Sequence, residues 1–193
     1  MNDGAAPAGV RVGVLALQGG FAAHAAILDG LGADVSEVRT PDDLVGLDAL
    51  VMPGGESTVM SLGIVREGLA DPIVRFADTH PVLATCAGMI MLDRDHLGVL
   101  DITTQRNAFG RQVKSFETDL AWGGDTVHAV FIRAPWVSEW GAAVDVLAEV
   151  DGHPVAVRQG AITALAFHPE LSGERRFHDV LIAQATGSRN WSS

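Results

Sequence analysis

The chain has one cysteine, Cys86, and one lysine, Lys114, among its 193 residues. A single cysteine excludes an internal disulfide framework and a cysteine-rich zinc site. Basic residues are also scarce: Lys+Arg total 13 against 24 Asp+Glu, a formal net charge of -11. That balance argues against a nucleic-acid partner or an anionic membrane surface, since both need basic patches. Long hydrophobic runs are missing too. The stretch between Arg11 and Asp29 carries no formal charge, but Gln18, Gly19, Gly20 and His24 interrupt it, so it is too polar and too short to span a membrane. Residues 1–9 lack the basic opening of a secretory signal, and a reduced, cytoplasmic protein is the expectation. What remains is 48% hydrophobic and only 19% charged, which excludes a disordered chain. The length predicts one domain over 1–193, with 1–9 and 187–193 as flexible tails.

The first half alternates strand and helix signals. Val10–Leu17 is an apolar run stopped by Gln18-Gly19-Gly20, and Phe21–Leu31 follows with helical spacing. Asp34–Val38, Asp48–Met52 and Val82–Thr85 are further strand candidates; Ser57–Leu69, Asp71–Thr79 and Ala87–Leu92 read as helices. Unpatterned apolar strands alternating with helices predict a mostly parallel, flavodoxin-like α/β sheet covered by helices on both faces. The second half is strand-rich, with candidates at Val99–Thr104, Val113–Leu120, Val127–Ile132, Val144–Val150, Pro154–Arg158 and Ile162–Phe167. Turn signals at Gly123-Gly124-Asp125, Asp151-Gly152 and Gln159-Gly160 predict an additional antiparallel section, the last two fitting hairpins. A helix over Glu174–Thr186 closes the pattern.

Cys86 stands where an apolar strand meets a helix, flanked by Ala84 and Gly88 two positions away on either side. That is the layout of a nucleophile elbow. A free thiol has a pKa of about 8.5, and a helix N-terminus favours its thiolate. The alternative is a buried structural cysteine. A nucleophile needs a base, and the base an orienting group. Of the 7 histidines, only His168 ends an apolar strand with a carboxylate two residues on, in His168-Pro169-Glu170. An extended backbone would put Glu170 on the same side as the imidazole. Otherwise the triplet is a polar strand-end turn. Pro53-Gly54-Gly55-Glu56-Ser57 follows a strand and precedes a helix, so its backbone N–H groups could bind a developing oxyanion. It could equally be a plain turn with Ser57 as helix cap. Arg106 and Arg133 could each clamp a carboxylate or serve in surface ion pairs. Asp93-Arg94-Asp95-His96 reads as a solvated helix end without metal-ligand spacing.

Taken together, these residues resemble the class I (triad) glutamine amidotransferases, and most closely the glutaminase subunits of two-component pyridoxal 5′-phosphate synthases. The resemblance runs from about Val12 to Leu181. Its strings are Gly13-Val-Leu-Ala-Leu-Gln-Gly19, Pro53-Gly-Gly-Glu-Ser-Thr58, Thr85-Cys-Ala-Gly-Met89, Arg106-Asn-Ala-Phe-Gly-Arg-Gln112, Ser115-Phe-Glu117, Phe131-Ile-Arg-Ala-Pro135 and Phe167-His-Pro-Glu-Leu171. The resemblance implies hydrolysis of L-glutamine to L-glutamate and ammonia by a triad of Cys86, His168 and Glu170. It further implies an oxyanion hole at Gly55 and Ala87, and glutamine binding by Gly55, Glu56, Ser57, Arg106, Ile132 and Arg133. Gln18 matches a family position near the oxyanion region. Neither a metal nor a cofactor is implied. The implied partner is a (β/α)8-barrel synthase subunit that receives the ammonia.

The chain departs from its relatives in three respects. Ala84 stands where glycine is common, Val59 replaces a frequent threonine, and Leu92–Leu97 and Trp122–Val127 look shortened. Rival readings are a triad amidotransferase serving another acceptor, a catalytically dead scaffold of the same fold, and a flavodoxin-like cysteine hydrolase or chaperone. The last would have no need of His168-Pro169-Glu170.

Overall fold

The computed structural model describes residues 9–109 and 115–187. The predicted start of a strand at Val113, the end of the arginine string at Gly110–Gln112, and the tails 1–8 and 188–193 lie outside them. A seven-stranded sheet runs through the molecule in the order β2-β1-β3-β4-β11-β10-β9. These strands are β1 (Arg11–Leu15), β2 (Asp34–Val38), β3 (Ala49–Met52), β4 (Val82–Thr85), β9 (Asp145–Val150), β10 (His153–Gln159) and β11 (Ile162–Leu165). From β2 through β11 every neighbouring pair is parallel, and β10 then runs antiparallel to both β11 and β9.

The central strands explain themselves. β3, β4 and β11 are buried at every position, so both faces are covered, and all but the buried Thr85 and Thr163 are apolar. The edge strand β2, Asp-Val-Ser-Glu-Val, buries only its last residue fully. Gly13, in β1, faces Leu47 and Val38 so closely that any Cβ would collide with them.

Helices α1 (Phe21–Gly30), α2 (Ser57–Arg66), α3 (Ala70–Ala77), α4 (Ala87–Leu92), α5 (Pro169–Ser172) and α6 (Arg176–Ala185) complete the layers. The expected helix over Glu174–Thr186 is thus realised as α6. A short 3-10 turn at Pro41–Leu44 joins β2 to β3.

Two two-stranded ribbons form the antiparallel addition: β5 (Ile102–Gln105) with β8 (Trp136–Trp140), and β6 (Ser115–Trp122) with β7 (Asp125–Ile132). The hairpin signals at Gly123-Gly124, Asp151-Gly152 and Gln159-Gly160 all join consecutive antiparallel strands. β8 escaped the sequence reading. Trp-Val-Ser-Glu-Trp buries only Val137 fully, and it pairs with β5, far away in sequence, through an irregular register.

Asp93–His96 is a helix end with Arg94, Asp95 and His96 exposed as expected, but its first residue departs from the expectation. Asp93 is buried, not solvated: it accepts hydrogen bonds from the backbone N–H groups of Asp95 and Thr104 and from the Thr104 hydroxyl, and pairs with His96. It ties the end of α4 to β5, a long-range demand that local polarity cannot reveal.

Candidate active site

In an open α/β sheet, ligands bind beyond the carboxyl ends of the parallel strands, where the winding reverses. Here the chain passes from β1 to β2 on one side and then to β3 on the other. Four segments leave the carboxyl ends of β1, β3, β4 and β11, and they carry Gln18, Gly54-Gly55-Glu56, Cys86 and His168. Together with residues from the antiparallel ribbons they line a cleft of about 450 Å³.

Cys86 sits between β4 and α4 with φ 48° and ψ -105°. This is a strained conformation for a residue with a side chain, of the kind stored at functional sites. Its backbone is pinned by Cys86 N–H donating to the Leu165 carbonyl at 2.7 Å. The small neighbour expected two residues on is required: a Cβ at Gly88 would run into the Met52 backbone. Only 6% of Cys86 is exposed, and its sulfur lies 3.8 Å from the Ile132 carbonyl. Three of the four described non-glycine residues with positive φ (Cys86, Asn107 and Arg133) line the cleft. The fourth, Asp151, is in a hairpin turn.

His168 is anchored by its own N–H, which donates to the Val130 carbonyl of β7 at 2.9 Å. Its Nδ1 meets Glu170 Oε1 at 2.7 Å. The pairing was expected from an extended segment, but the geometry differs. β11 ends at Leu165, His168 caps α5, and Glu170 belongs to the first turn of that helix. Pro169 at the first helical position forces the change, because its fixed φ starts a helix. Burial opposes a charge on His168, yet the Cys86 sulfur and the Glu170 carboxylate outweigh it and push the imidazole up to about 10. Burial likewise works against charge on Glu170, but His168 and His24 hold its carboxyl below the usual range.

Gly54 lies against both reacting side chains. A Cβ there would collide with the His168 ring and stand 3.2 Å from Cys86 Cβ. Gly20 N–H donates to the Gly54 carbonyl at 3.2 Å, so in a planar trans peptide the Gly55 N–H points the opposite way. Gln18 Nε2 donates to the Glu56 carbonyl at 3.0 Å, and a side chain at Gly55 would displace it. The helix cap is Glu56 rather than Ser57: its carboxylate accepts from Thr58 N–H at 3.2 Å and Val59 N–H at 3.0 Å. These two backbone bonds, then Arg106 nearby, hold its carboxyl below the ordinary range. A longer carboxylate reaches the second and third helical N–H groups from an extended residue, which leaves Ser57 free to face the cleft. Arg106 Nη2 is 3.6 Å from Glu56 and 3.3 Å from Thr58 Oγ1.

All the residues expected to bind glutamine (Gly55, Glu56, Ser57, Arg106, Ile132 and Arg133) line this one cleft with Cys86, Ala87 and His168. Glu170 stands behind His168. Sequence reasoning missed Asn107 and Ile90 in the lining, and the Val130 carbonyl that anchors His168. Asn107 had a signal beside Arg106; the other two had none. Among the described residues, no group of His, Cys, Asp and Glu is arranged to hold a metal ion, and no helix is long and apolar enough to cross a membrane.

A mostly parallel sheet with a cysteine elbow and a histidine–carboxylate pair at its carboxyl edge defines the class I glutamine amidotransferase fold. Solved structures agree. A glutamine amidotransferase crystal structure superposes with a TM-score of 0.85 at 43% identity, covering 91% of this chain and 98% of that one. Another, from Thermotoga maritima, shares the fold alone, with a TM-score of 0.60 at 14% identity, covering 94% of this chain and 86% of that one. Residues 14–186 match the SNO glutamine amidotransferase family, and the chain belongs to it. Over 188 residues it is 50% identical to pyridoxal 5′-phosphate synthase subunit PdxT of Mycolicibacterium vanbaalenii, covering 90% of this chain and 96% of the relative. The PdxT of Mycobacteroides abscessus is 51% identical over 183 residues, with 89% and 95% covered.

Proposed function

We propose that this chain is the glutaminase subunit of a pyridoxal 5′-phosphate synthase, and that Cys86, His168 and Glu170 carry the hydrolysis. One observation bears most of the weight: a cysteine at φ 48° heads a helix in the same cleft as an imidazole held at 2.7 Å by a buried carboxylate. Cys86 Sγ attacks the side-chain carbonyl carbon of L-glutamine. The oxyanion that forms takes hydrogen bonds from the Gly55 and Ala87 N–H groups, each worth about 3 kcal/mol in the transition state. His168, charged while Glu170 braces it, gives its proton to the departing nitrogen, which leaves as ammonia. A γ-glutamyl thioester remains on Cys86. Water then attacks it, His168 accepts the water's proton, and glutamate departs as the thiolate is restored.

Gly55, Glu56, Ser57, Arg106, Ile132 and Arg133 hold the substrate, the arginines suiting its carboxylate and Glu56 its ammonium. Ammonia becomes protonated and unreactive in neutral water, so it must be handed over directly. The recipient is a (β/α)8-barrel synthase subunit in a hetero-oligomeric complex in the cytoplasm.

Glutamate release measured with and without that subunit tests the assignment. The rate is expected to rise on complex formation; equal rates refute the coupling. Cys86→Ala and Cys86→Ser should abolish turnover while the complex still assembles. Wild-type turnover in either removes Cys86 from the chemistry.

A further inference from the structure

Behind the cleft a buried polar chain continues past Cys86, His168 and Glu170. Glu170 uses Oε1 on His168, while its Oε2 is buried and makes no aligned hydrogen bond among the described residues. That oxygen faces His24 Nε2, on α1, at 3.3 Å. His24 is fully buried; its Nδ1 lies 2.9 Å from His178 Nε2 on α6, and its Nε2 lies 3.3 Å from the Thr85 hydroxyl on β4. His178 Nδ1 is buried and has no partner among the described residues. Burial holds both histidines below their ordinary range, so each is neutral and carries one N–H.

Only two proton arrangements are possible across the short His24–His178 bond. If His24 carried its proton on Nδ1, His178 would carry its own on Nδ1, as a buried donor facing nothing. The bare Nε2 lone pair of His24 would then oppose a carboxylate oxygen. Both features are costly away from water. In the other arrangement His178 donates from Nε2 to His24 Nδ1, leaving the orphan Nδ1 as a bare acceptor. His24 then presents an N–H toward Glu170 Oε2 and Thr85. The second arrangement gives both ring N–H groups an acceptor, with Thr85 Oγ1 accepting rather than donating at His24 Nε2.

We propose that His24 is a positioning residue: its Nε2–H, fixed in that tautomer by His178, steadies the inner oxygen of Glu170 and keeps the carboxylate turned to His168. The proposal rests on the triad reading above. Glu170 faces His168 from the turn ahead of α5 and His24 from α1, and His24 in turn meets the Thr85 hydroxyl of β4 and His178 of α6.

Long-range nitrogen–proton NMR on the wild-type protein at neutral pH reads the tautomers directly. Protons on Nε2 of both His24 and His178 are expected; a proton on His24 Nδ1 overturns the assignment. Kinetics with the synthase subunit present supply the second test. His24→Leu should lower kcat about ten- to a hundred-fold, as loss of an orienting partner typically does, with KM for glutamine little changed. The acid limb of its pH profile should move upward, because Glu170 loses a donor that favours its charged form. His24→Gln, which keeps an N–H at similar reach, should recover most of the rate. A folded His24→Leu protein with wild-type kcat and pH profile, or a His24→Gln protein no faster than His24→Leu, overturns the proposal. Glu170→Gln separates the two levels. Its wild-type turnover would mean the triad reading has failed; slow Glu170→Gln beside unaffected His24→Leu would mean that only the role of His24 has failed.

Discussion

Two glycines and one strained cysteine set the spacing of the reacting atoms. Cys86 keeps φ 48° because its N–H is held by Leu165 and the following turn packs on Met52 through Gly88. Gly54 leaves room for the His168 ring beside Cys86. Gly54→Ala should therefore push the ring aside and lower kcat about a hundred-fold, the usual consequence of misplacing a reacting group by an ångström. A steady-state assay with the synthase subunit reads this; a near-wild-type kcat would show that the ring has slack. The charge on His168 offers a second check. With its imidazole raised to about 10 by the Cys86 sulfur and Glu170, its ring signals should show no deprotonation in an NMR titration between pH 6 and about 8. In Glu170→Gln the midpoint should fall.

At the scale of elements, the antiparallel ribbons complete a site that the parallel sheet only begins. β7 supplies the Val130 carbonyl to the His168 backbone and the Ile132 carbonyl beside the Cys86 sulfur. Its Phe131 is buried, stacks on Phe116 at 4.6 Å and meets Phe167 at 5.6 Å, locking the ribbon onto the strand end that carries His168. β5 leads to Arg106, and Asp93 ties β5 to α4. Asp93→Ala strands several part-buried donors at once. It should cost about 3 kcal/mol in denaturant unfolding and, through the loosened Arg106 turn, raise KM for glutamine. An unchanged unfolding midpoint would mean that water replaces the carboxylate without loss.

For the whole molecule, the buried histidines shape the dependence of stability on pH. His178 is held down to about 3 by burial, and His24 is lowered in the same way, whereas an unfolded histidine titrates near about 6.5. Below that value the unfolded chain binds protons that the folded one refuses. Stability therefore falls with decreasing pH, at about 1.4 kcal/mol per pH unit for each fully titrating histidine. His168 acts in the opposite direction. Its folded value is raised, so its contribution is complete below about 6.5 and fades as pH climbs toward about 10. Melting temperature should peak near neutral pH and decline on both sides. His178→Leu should flatten the acid side, and a wild-type melting temperature flat from pH 7 to 5 would refute the account.

Much of this was readable from residue order. The strand candidates Asp34–Val38 and Val82–Thr85 and the helix at Ala87–Leu92 coincide with β2, β4 and α4, because Gly32 and Pro41 bracket the first and the apolar character of the other two marks them as buried. Cys86 and the His168-Pro169-Glu170 triplet were visible because elbow and strand-end signals are local. β8, the burial of Asp93, the capping by Glu56 and the His24–His178 pair were not. The Glu56 cap is local and was hidden only because Ser57 is the commoner capping type, whereas the others depend on a partner that only folding brings near: β5 for β8, Thr104 for Asp93, and for His24 a histidine on α6. Local periodicity records which side of an element avoids water. It holds no record of which distant polar atom will satisfy a buried donor, and that pairing exists only once the layers have packed.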